Sequence, residues 1–357
     1  MRHNFKFKYF VLSFIFILAL LVYACTPSNR NNIYDEVKLG YFRGGANDLF
    51  SKAYREGNFD ANGVNVILYT TIKDESDLIK VEKIKKWVRN QRQEDELFGW
   101  MTGDKIVEYI AQGDLDGGLI GSGSFLNAIK KNISLVAVAI VGMCDKENPC
   151  RVIVLNKGVE INNVSDWKGK KICYFRNTSV DYLALKKYFK NLGILDEVIL
   201  INTRTFDDWL SFANGTADAC ILHYGSASSF DKELENHDGE KLFGVKSIEP
   251  RMFHTLLVFN KNFIKENRGE VKKILKTYLN ITENEYISKE QSIVKNKTKP
   301  KEYKDLGKPA SRKGEASVNI SLLNELKFLM LEEGILEKDI DIESHVDNSL
   351  LNEIMEE

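Results

Sequence analysis

Residues 102–141 read TGDKIVEYIAQGDLDGGLIGSGSFLNAIKKNISLVAVAIV. Ile106, Val107, Ile110 and Ala111 share one helical face between Gly103 and Gly113, which predicts an amphipathic helix with a glycine at its end. Residues 115–120 then read as a strand, and Gly121-Ser122-Gly123-Ser124 opens a second helix ending near Asn132. Residues 135–141 are apolar without a break, the pattern of a parallel strand covered on both faces. Helices alternating with strands that end on polar turns predict an α/β protein with mostly parallel sheets.

The rhythm extends in both directions. Upstream, residues 37–42 form a β-like run that ends on Arg43-Gly44-Gly45-Ala46-Asn47 before a helical pattern with Leu49, Phe50 and Tyr54. A second strand is expected at 64–69 after Asn62-Gly63, followed at 74–96 by a charge-dense surface helix inserted in the first lobe. Downstream, 151–155 is a strand, Ser165 or Asp166 is expected to cap a short turn, and 172–175 is a strand ending on Arg176-Asn177-Thr178-Ser179. A helix over 180–192 is closed by Gly193, a C-cap glycine. Residues 198–202 and 219–223 read as strands on either side of a helix at 206–213 that stops at Asn214-Gly215. Residues 256–260 read as a strand crossing back, and from Phe263 the chain is helical apart from a charged break between Lys295 and Arg312. No repeat of fixed period stands out.

The N-terminal residues bear on compartment. Arg2, Lys6 and Lys8 precede an apolar run of about 16 residues that stops at Val22-Tyr23-Ala24-Cys25, shorter than a membrane-spanning helix needs. The reading is a signal peptide over 1–24, lipidation of Cys25, and a polar tether over 25–36; the alternative is an uncleaved anchor. Both place the body on the extracytoplasmic side of a bacterial membrane, periplasmic or at the cell surface. The 357 residues carry 50 Lys+Arg against 51 Asp+Glu. Losing the three basic residues of the leader brings the net charge to about −4, which argues against nucleic acid as a partner. About 330 remaining residues predict two domains.

Five cysteines are present. Cys144 and Cys150 flank a turn-rich loop, and an oxidising compartment permits a disulfide between them. Cys173 and Cys220 sit in apolar runs as small buried hydrophobes. No His/Cys spacing has the form of a metal site, and no cofactor is expected.

Four segments resemble one family: Lys38-Leu39-Gly40-Tyr41-Phe42; Ala111-Gln112-Gly113-Asp114-Leu115-Asp116-Gly117-Gly118 with Gly121-Ser122-Gly123-Ser124; Val164-Ser165-Asp166-Trp167-Lys168-Gly169-Lys170-Lys171-Ile172; and Asn214-Gly215-Thr216-Ala217-Asp218-Ala219. In this order and spacing they are similar to the substrate-binding proteins of nitrate, taurine, aliphatic sulfonate and thiamine-precursor importers, the NMT1/THI5-like or SsuA-like family. The resemblance covers most of residues 37–260. It implies a periplasmic-binding-protein-like fold of type II, two α/β lobes joined by a two-stranded hinge near 151–155 and 256–260. Lobe 1 would comprise 37–154 and 250–357, and lobe 2 would comprise 155–249. Two departures stand out: the 74–96 insertion is longer than the family pattern, and the cysteine-rich motif of the pyrimidine-synthesising relatives is absent, which argues against that enzymatic branch.

Open α/β sheets bind ligands beyond the carboxyl ends of their strands. Candidates from the first lobe are Tyr41, Arg43, Gly44, Asn47, Thr102, Ser122 and Ser124; from the second, Arg176, Asn177, Thr178, Ser179, His223 and Tyr224. Hydroxyls beside helix N-termini suit an anionic group or merely cap their helices, and the arginines suit an anion clamp or a surface charge. Phe42 and Phe253 join the tyrosines as candidates to stack on a flat ring, Phe42 equally as a core residue. His223 and His254 lack a neighbouring nucleophile and orienting group, so no catalysis is read from them. The expected function is capture of a small organic molecule, with a lean toward a pyrimidine- or flavin-precursor-like heterocycle over a sulfonate-like anion, by a monomeric lipoprotein that delivers it to an ABC permease. The alternative is a sensor or surface-interaction lipoprotein on the same fold.

Overall fold

The computed structural model describes residues 36–42, 47–71, 77–81, 101–143, 151–156, 158–175, 180–203, 212, 215–223, 254–295 and 313–357. The leader, the tether up to residue 35, Cys25, Cys144, Cys150, and nearly all of the expected helices at 74–96 and 206–213 lie outside them.

Among the described residues, ten strands form two sheets. In chain order they are β1 (Val37–Gly40), β2 (Val66–Thr70), β3 (Ile79–Lys80), β4 (Gly117–Gly121), β5 (Leu135–Met143), β6 (Arg151–Leu155), β7 (Lys171–Phe175), β8 (Ile199–Thr203), β9 (Ala219–His223) and β10 (His254–Asn260). The first sheet has the order β3-β2-β1-β4-β10-β5 and the second β8-β7-β9-β6. The helices are α1 (Asn47–Arg55), α2 (Asn58–Ala61), α3 (Gly103–Gln112), α4 (Ser122–Lys130), α5 (Val180–Asn191), α6 (Lys261–Glu266), α7 (Arg268–Lys295), α8 (Ile320–Glu332) and α9 (Ser349–Glu356).

Three expectations are corrected. Residues 135–141 do form a fully buried strand, but β5 runs antiparallel to β10. Its unbroken apolar run reports that both faces are covered and says nothing about direction. Its outer edge is closed by the C-terminal segment: Val346 bridges to Ala137, and the Asp347 N–H donates to the Ala137 carbonyl at 3.0 Å. Second, Ile79 and Lys80, expected inside a helix, pair antiparallel with Thr70 and Tyr69. Third, Asn163 caps the 3₁₀ turn Val164–Trp167, and Asp166 completes a reciprocal capping box. Asp166 accepts from the Asn162 and Asn163 N–H groups at 2.8 and 2.9 Å, which holds its carboxyl below the usual range. The strands expected near the hinge are β6, beside β9, and β10, beside β4 and β5. The chain changes sheet between Met143 and Arg151 and again between His223 and His254.

The sheets contain one motif twice. In the first, β1 lies between parallel β2 and β4, and β4 is flanked by antiparallel β10; in the second, β7 lies between parallel β8 and β9, and β9 is flanked by antiparallel β6. An aspartate locks each copy. The Asp116 N–H donates to the Lys38 carbonyl at 2.9 Å, its Oδ2 accepts from the Lys38 N–H at 2.8 Å, and its carbonyl accepts from the Asn260 N–H at 2.8 Å. Asp218 makes the same three bonds with Lys171 and Asn156, each at 2.8 Å. Three residues before each aspartate, Gly113 (φ 83°) and Gly215 (φ 82°) occupy the left-handed turn that redirects the chain into β4 or β9. Aligning the clamped lysines pairs Lys38-Leu39-Gly40-Tyr41-Phe42-Arg43 with Lys171-Ile172-Cys173-Tyr174-Phe175-Arg176, a repeat invisible to a search for fixed periodicity. The antiparallel strand comes last in one copy and first in the other, so no single offset superposes them.

The first sheet's core is held by α7, whose Tyr278 is fully buried against Phe50, at a ring distance of 5.5 Å, and donates to the Val141 carbonyl at 2.6 Å. In the second, Trp167 meets Phe189 edge-on at 5.2 Å. The C-terminal helix is tied to α7 by ions: Arg268 with Asp347 (3.2 Å) and Glu353, Lys272 with Glu353 (3.3 Å) and Glu357 (2.7 Å), and Lys276 with Glu357 (3.0 Å). The hydrogen bond from Lys272 is the main cause that pulls Glu357 down to about 2, and Glu353 is lowered chiefly by Arg268. Because these folded-state values lie below the unfolded one of about 4.3, their stabilisation is present above that pH and lost as pH falls toward about 2. Hydrogen exchange between pH 5 and 2.5 should therefore show α9 loosening early. Glu353→Gln with Glu357→Gln should remove that acid-dependent step; an unchanged step would refute the assignment.

Candidate ligand-binding site

The carboxyl edge of the first sheet is where its helices begin. β1 ends at Gly40 and leads through Tyr41 and Phe42 toward α1, which starts at Asn47; β4 ends at Gly121 and passes directly into α4 at Ser122. Because α3 leads into the opposite end of β4, its own N-terminus, at Thr102, returns to this edge. Glycines allow α3 to approach closely. A Cβ on Gly40 would lie 2.7 Å from Ile106 Cγ2, and one on Gly118 would lie 2.6 Å from the same atom and 2.9 Å from the Gly40 carbonyl oxygen. Ile106 thus seats in a two-glycine notch across β1 and β4. The seating brings the starts of α3 and α4 together: a Cβ on Gly103 would stand 2.8 Å from Ser124 Oγ.

Tyr41, Thr102, Ser122 and Ser124 therefore lie along one edge with the first N–H groups of α3 and α4, which point toward the space beyond the strands. Their surroundings differ. Thr102 Oγ1 accepts from the Lys105 N–H at 3.3 Å, so it acts as an N-cap. Ser122 is 1% exposed, Tyr41 is buried, and Ser124 is half-buried. Phe42 is partly buried against the core. Asn47 opens α1; Arg43 and Gly44 lie outside the described residues.

Thr70 and Thr71, which the sequence reading passed over, end β2 on the same edge. Both are buried, and Thr70 Oγ1 has no hydrogen-bond partner among the described residues. The signal was present in Tyr69-Thr70-Thr71, two hydroxyls where a strand stops, although a buried threonine in a β run reads as ordinary strand.

On the second sheet, β7 ends at Phe175 before the expected turn at 176–179, and β9 ends at His223 before Tyr224; Arg176, Asn177, Thr178, Ser179 and Tyr224 lie outside the described residues. His223 is the register partner of Arg151 on β6, as Gly121 is of Thr255 on β10, so Arg151 stands at this edge as well. Behind it, the Tyr174 ring packs at a tilt against Tyr182, with centroids 4.9 Å apart, and burial pushes its hydroxyl up. Cys173 and Cys220 are register partners at the positions of Gly40 and Gly118, both buried and both free thiols. The hydrogen bond with Cys173, and then burial, push the Cys220 thiol well up, as befits inert core cysteines. Among the described residues no cluster of His, Cys, Asp and Glu is arranged to hold a metal, and no helix is long and apolar enough to cross a membrane.

Two α/β lobes, each with its helix N-termini at the carboxyl edge of a sheet, define a periplasmic-binding-protein-like fold. The aliphatic sulphonate binding protein SsuA from Escherichia coli superposes with a TM-score of 0.62 at 16% identity, over 89% of this chain and 99% of that one. The alkanesulfonate-binding protein SsuA from Xanthomonas axonopodis pv. citri, bound to MOPS, gives 0.60 at 12% identity, over 87% and 98%. A point mutant of the desulfurization enzyme DSZB, in complex with biphenyl-2-sulfinic acid, gives 0.55 at 11% identity, over 91% and 99%. No curated protein matches the sequence. The NMT1/THI5 like family model matches residues 102–291, just over half of the chain, and the protein belongs to that family.

Proposed function

We propose that this protein is the solute-binding component of an ABC importer and captures a small organic anion between its lobes. The observation that carries the reading is the duplicated clamp. Each lobe holds its first strand by the same aspartate bonds and continues that strand into Tyr-Phe-Arg, at Tyr41-Phe42-Arg43 and Tyr174-Phe175-Arg176. A first strand that runs on, in the sequence of each lobe, into two aromatics and an arginine ahead of a helix suits a ligand with an anionic group and an apolar body. The arginine at equivalent places in both copies moves the balance from a heterocycle toward a sulfonate-like anion, the ligand class named for both SsuA structures. DSZB shows that the fold also carries catalysis, so the fold alone does not decide between capture and chemistry.

In this reading the first sheet belongs to lobe 1 and the second to lobe 2. The lobes change within 144–150 and 224–253, a few residues earlier at the first crossing than the boundary expected at 154. Contacts made from both lobes favour the closed form, which the permease recognises. Cleavage before Cys25 and lipidation of its sulfur would anchor the body, as a monomer, on the extracytoplasmic side of the membrane. Calorimetric titration with MOPS, taurine and thiamine-precursor pyrimidines tests the ligand class. A sulfonate is expected to bind, and Arg43→Ala and Arg176→Ala each to weaken it by about 10- to 100-fold, the loss of a charge-assisted hydrogen bond. Binding of the pyrimidines alone would restore the heterocycle reading.

A further inference from the structure

The lobes touch through charged side chains away from the strand ends. α8 belongs with the first sheet, since the chain just beyond it receives Lys130 of α4: Lys130 Nζ donates to the Ile335 carbonyl at 2.8 Å and pairs with Glu337 at 3.5 Å. α5 belongs with the second sheet, beside β7. Where α8 ends, Glu333 is paired with Lys186 of α5, and Glu332 with Lys190, one turn further along α5, at 3.6 Å. Lys190 and Glu332 are exposed, and such a pair is worth little. The Lys186–Glu333 pair differs, with side chains only 23% and 16% exposed. Lys186 Nζ also lies 5.3 Å from the centre of the Tyr182 ring, which packs at a tilt against Tyr174, the residue before the last of β7. A continuous line of contacts thus runs from the end of α8 through Glu333, Lys186, Tyr182 and Tyr174 to the carboxyl edge of the second sheet.

We infer that Lys186 and Glu333, supported by Lys190 and Glu332, form a clasp between the lobes that sets the population competent to bind ligand, and so act as positioning residues for capture. This rests on the binding-protein reading for its consequence but not for its existence. Apparent affinity falls in proportion to the competent fraction, so a clasp remote from the ligand tunes affinity without touching it. Like charges in a half-buried pair repel, so Lys186→Glu opens the clasp, and exchanging the charges closes it again.

The test uses the full-length protein in detergent and needs no ligand for its first arm. Hydrogen exchange in Lys186→Glu should quicken about fivefold to tenfold across 182–191 and 329–335, with β1 and β2 unchanged, and Lys186→Glu combined with Glu333→Lys should return both segments to the parent rate. In the second arm, titration with MOPS should show a similar fold loss for the single variant and recovery in the double. Parent-like exchange in the single variant, or no recovery in the double, overturns the clasp. If exchange responds and recovers while MOPS binds parent and single variant equally, the pair joins the lobes without setting affinity, and the inference fails. If MOPS binds no form of the protein, the sulfonate reading fails, while the exchange arm still decides whether the clasp exists.

Discussion

Gly118→Val should destabilise the protein by about 3 kcal/mol or more, near or beyond the upper end of ordinary overpacking. A single Cβ at this position would stand 2.6 Å from Ile106 Cγ2, 2.9 Å from the Gly40 carbonyl oxygen and 3.1 Å from the Gly40 nitrogen. The side chain of Ile106 can give way; the backbone of β1 cannot without breaking its pairing with β4. Shortening Ile106 to alanine in the same chain should therefore recover only part of the loss. Because the notch also fixes how α3 meets α4, the substitution should disturb the carboxyl edge that holds Thr102, Ser122 and Ser124. Urea unfolding measures the effect, and a loss below about 1 kcal/mol would show that the notch is looser than its distances state.

Asp116→Ala and Asp218→Ala should each cost about 1.5–3 kcal/mol, the range for a hydrogen bond to a charged group. Each removes the carboxylate that receives a strand N–H, from Lys38 in one lobe and Lys171 in the other, both at 2.8 Å. The damage should be local. Hydrogen exchange should quicken in β1 and β4 for the first variant and in β7 and β9 for the second, with little crossover because the sites share no partner. Asn retains an accepting oxygen, so Asp116→Asn and Asp218→Asn should keep much of the stability. Equal, lobe-confined effects are the signature of a duplicated clamp; a loss in one lobe alone would mean the two aspartates are not equivalent.

The same aspartates show what the sequence could and could not reveal. The glycine-then-aspartate segment at 113–116 was legible as a helix end leading into a strand, and the one at 215–218 as the turn before a strand, because a left-handed glycine followed by an apolar run has few other readings. That Asp116 and Asp218 each bind the first strand of their lobe was not, since the partners Lys38 and Lys171 are far away in sequence and their N–H groups leave no compositional trace. The strands were found from their apolar runs, but direction was lost for β5, whose fully covered faces are compatible with either sense. Ile79 and Lys80 were missed because a two-residue edge strand among charged neighbours has too few residues to show a period of two. At the site, strand ends followed by polar turns brought Tyr41, Thr102, Ser122 and Ser124 to one edge, while Thr70 and Thr71 went unread because a β run does not announce where its strand stops, and Arg151 because it begins a strand whose antiparallel sense left no trace in the sequence.

The central claim is that the lobes hold a small organic anion, and a thermal-shift screen tests it most directly. The chain from Thr26 onward would be measured with sulfonates, nitrate, thiamine precursors, flavins and amino acids, beside the Arg43→Ala, Arg176→Ala double variant. A ligand at 100 times its dissociation constant stabilises the folded form by about 2.7 kcal/mol. The account predicts such a shift with a sulfonate-like anion and its loss in the double variant. No shift with any anion, or an equal shift in parent and double variant, would contradict it and turn attention to a sensor or surface-interaction role on the same fold.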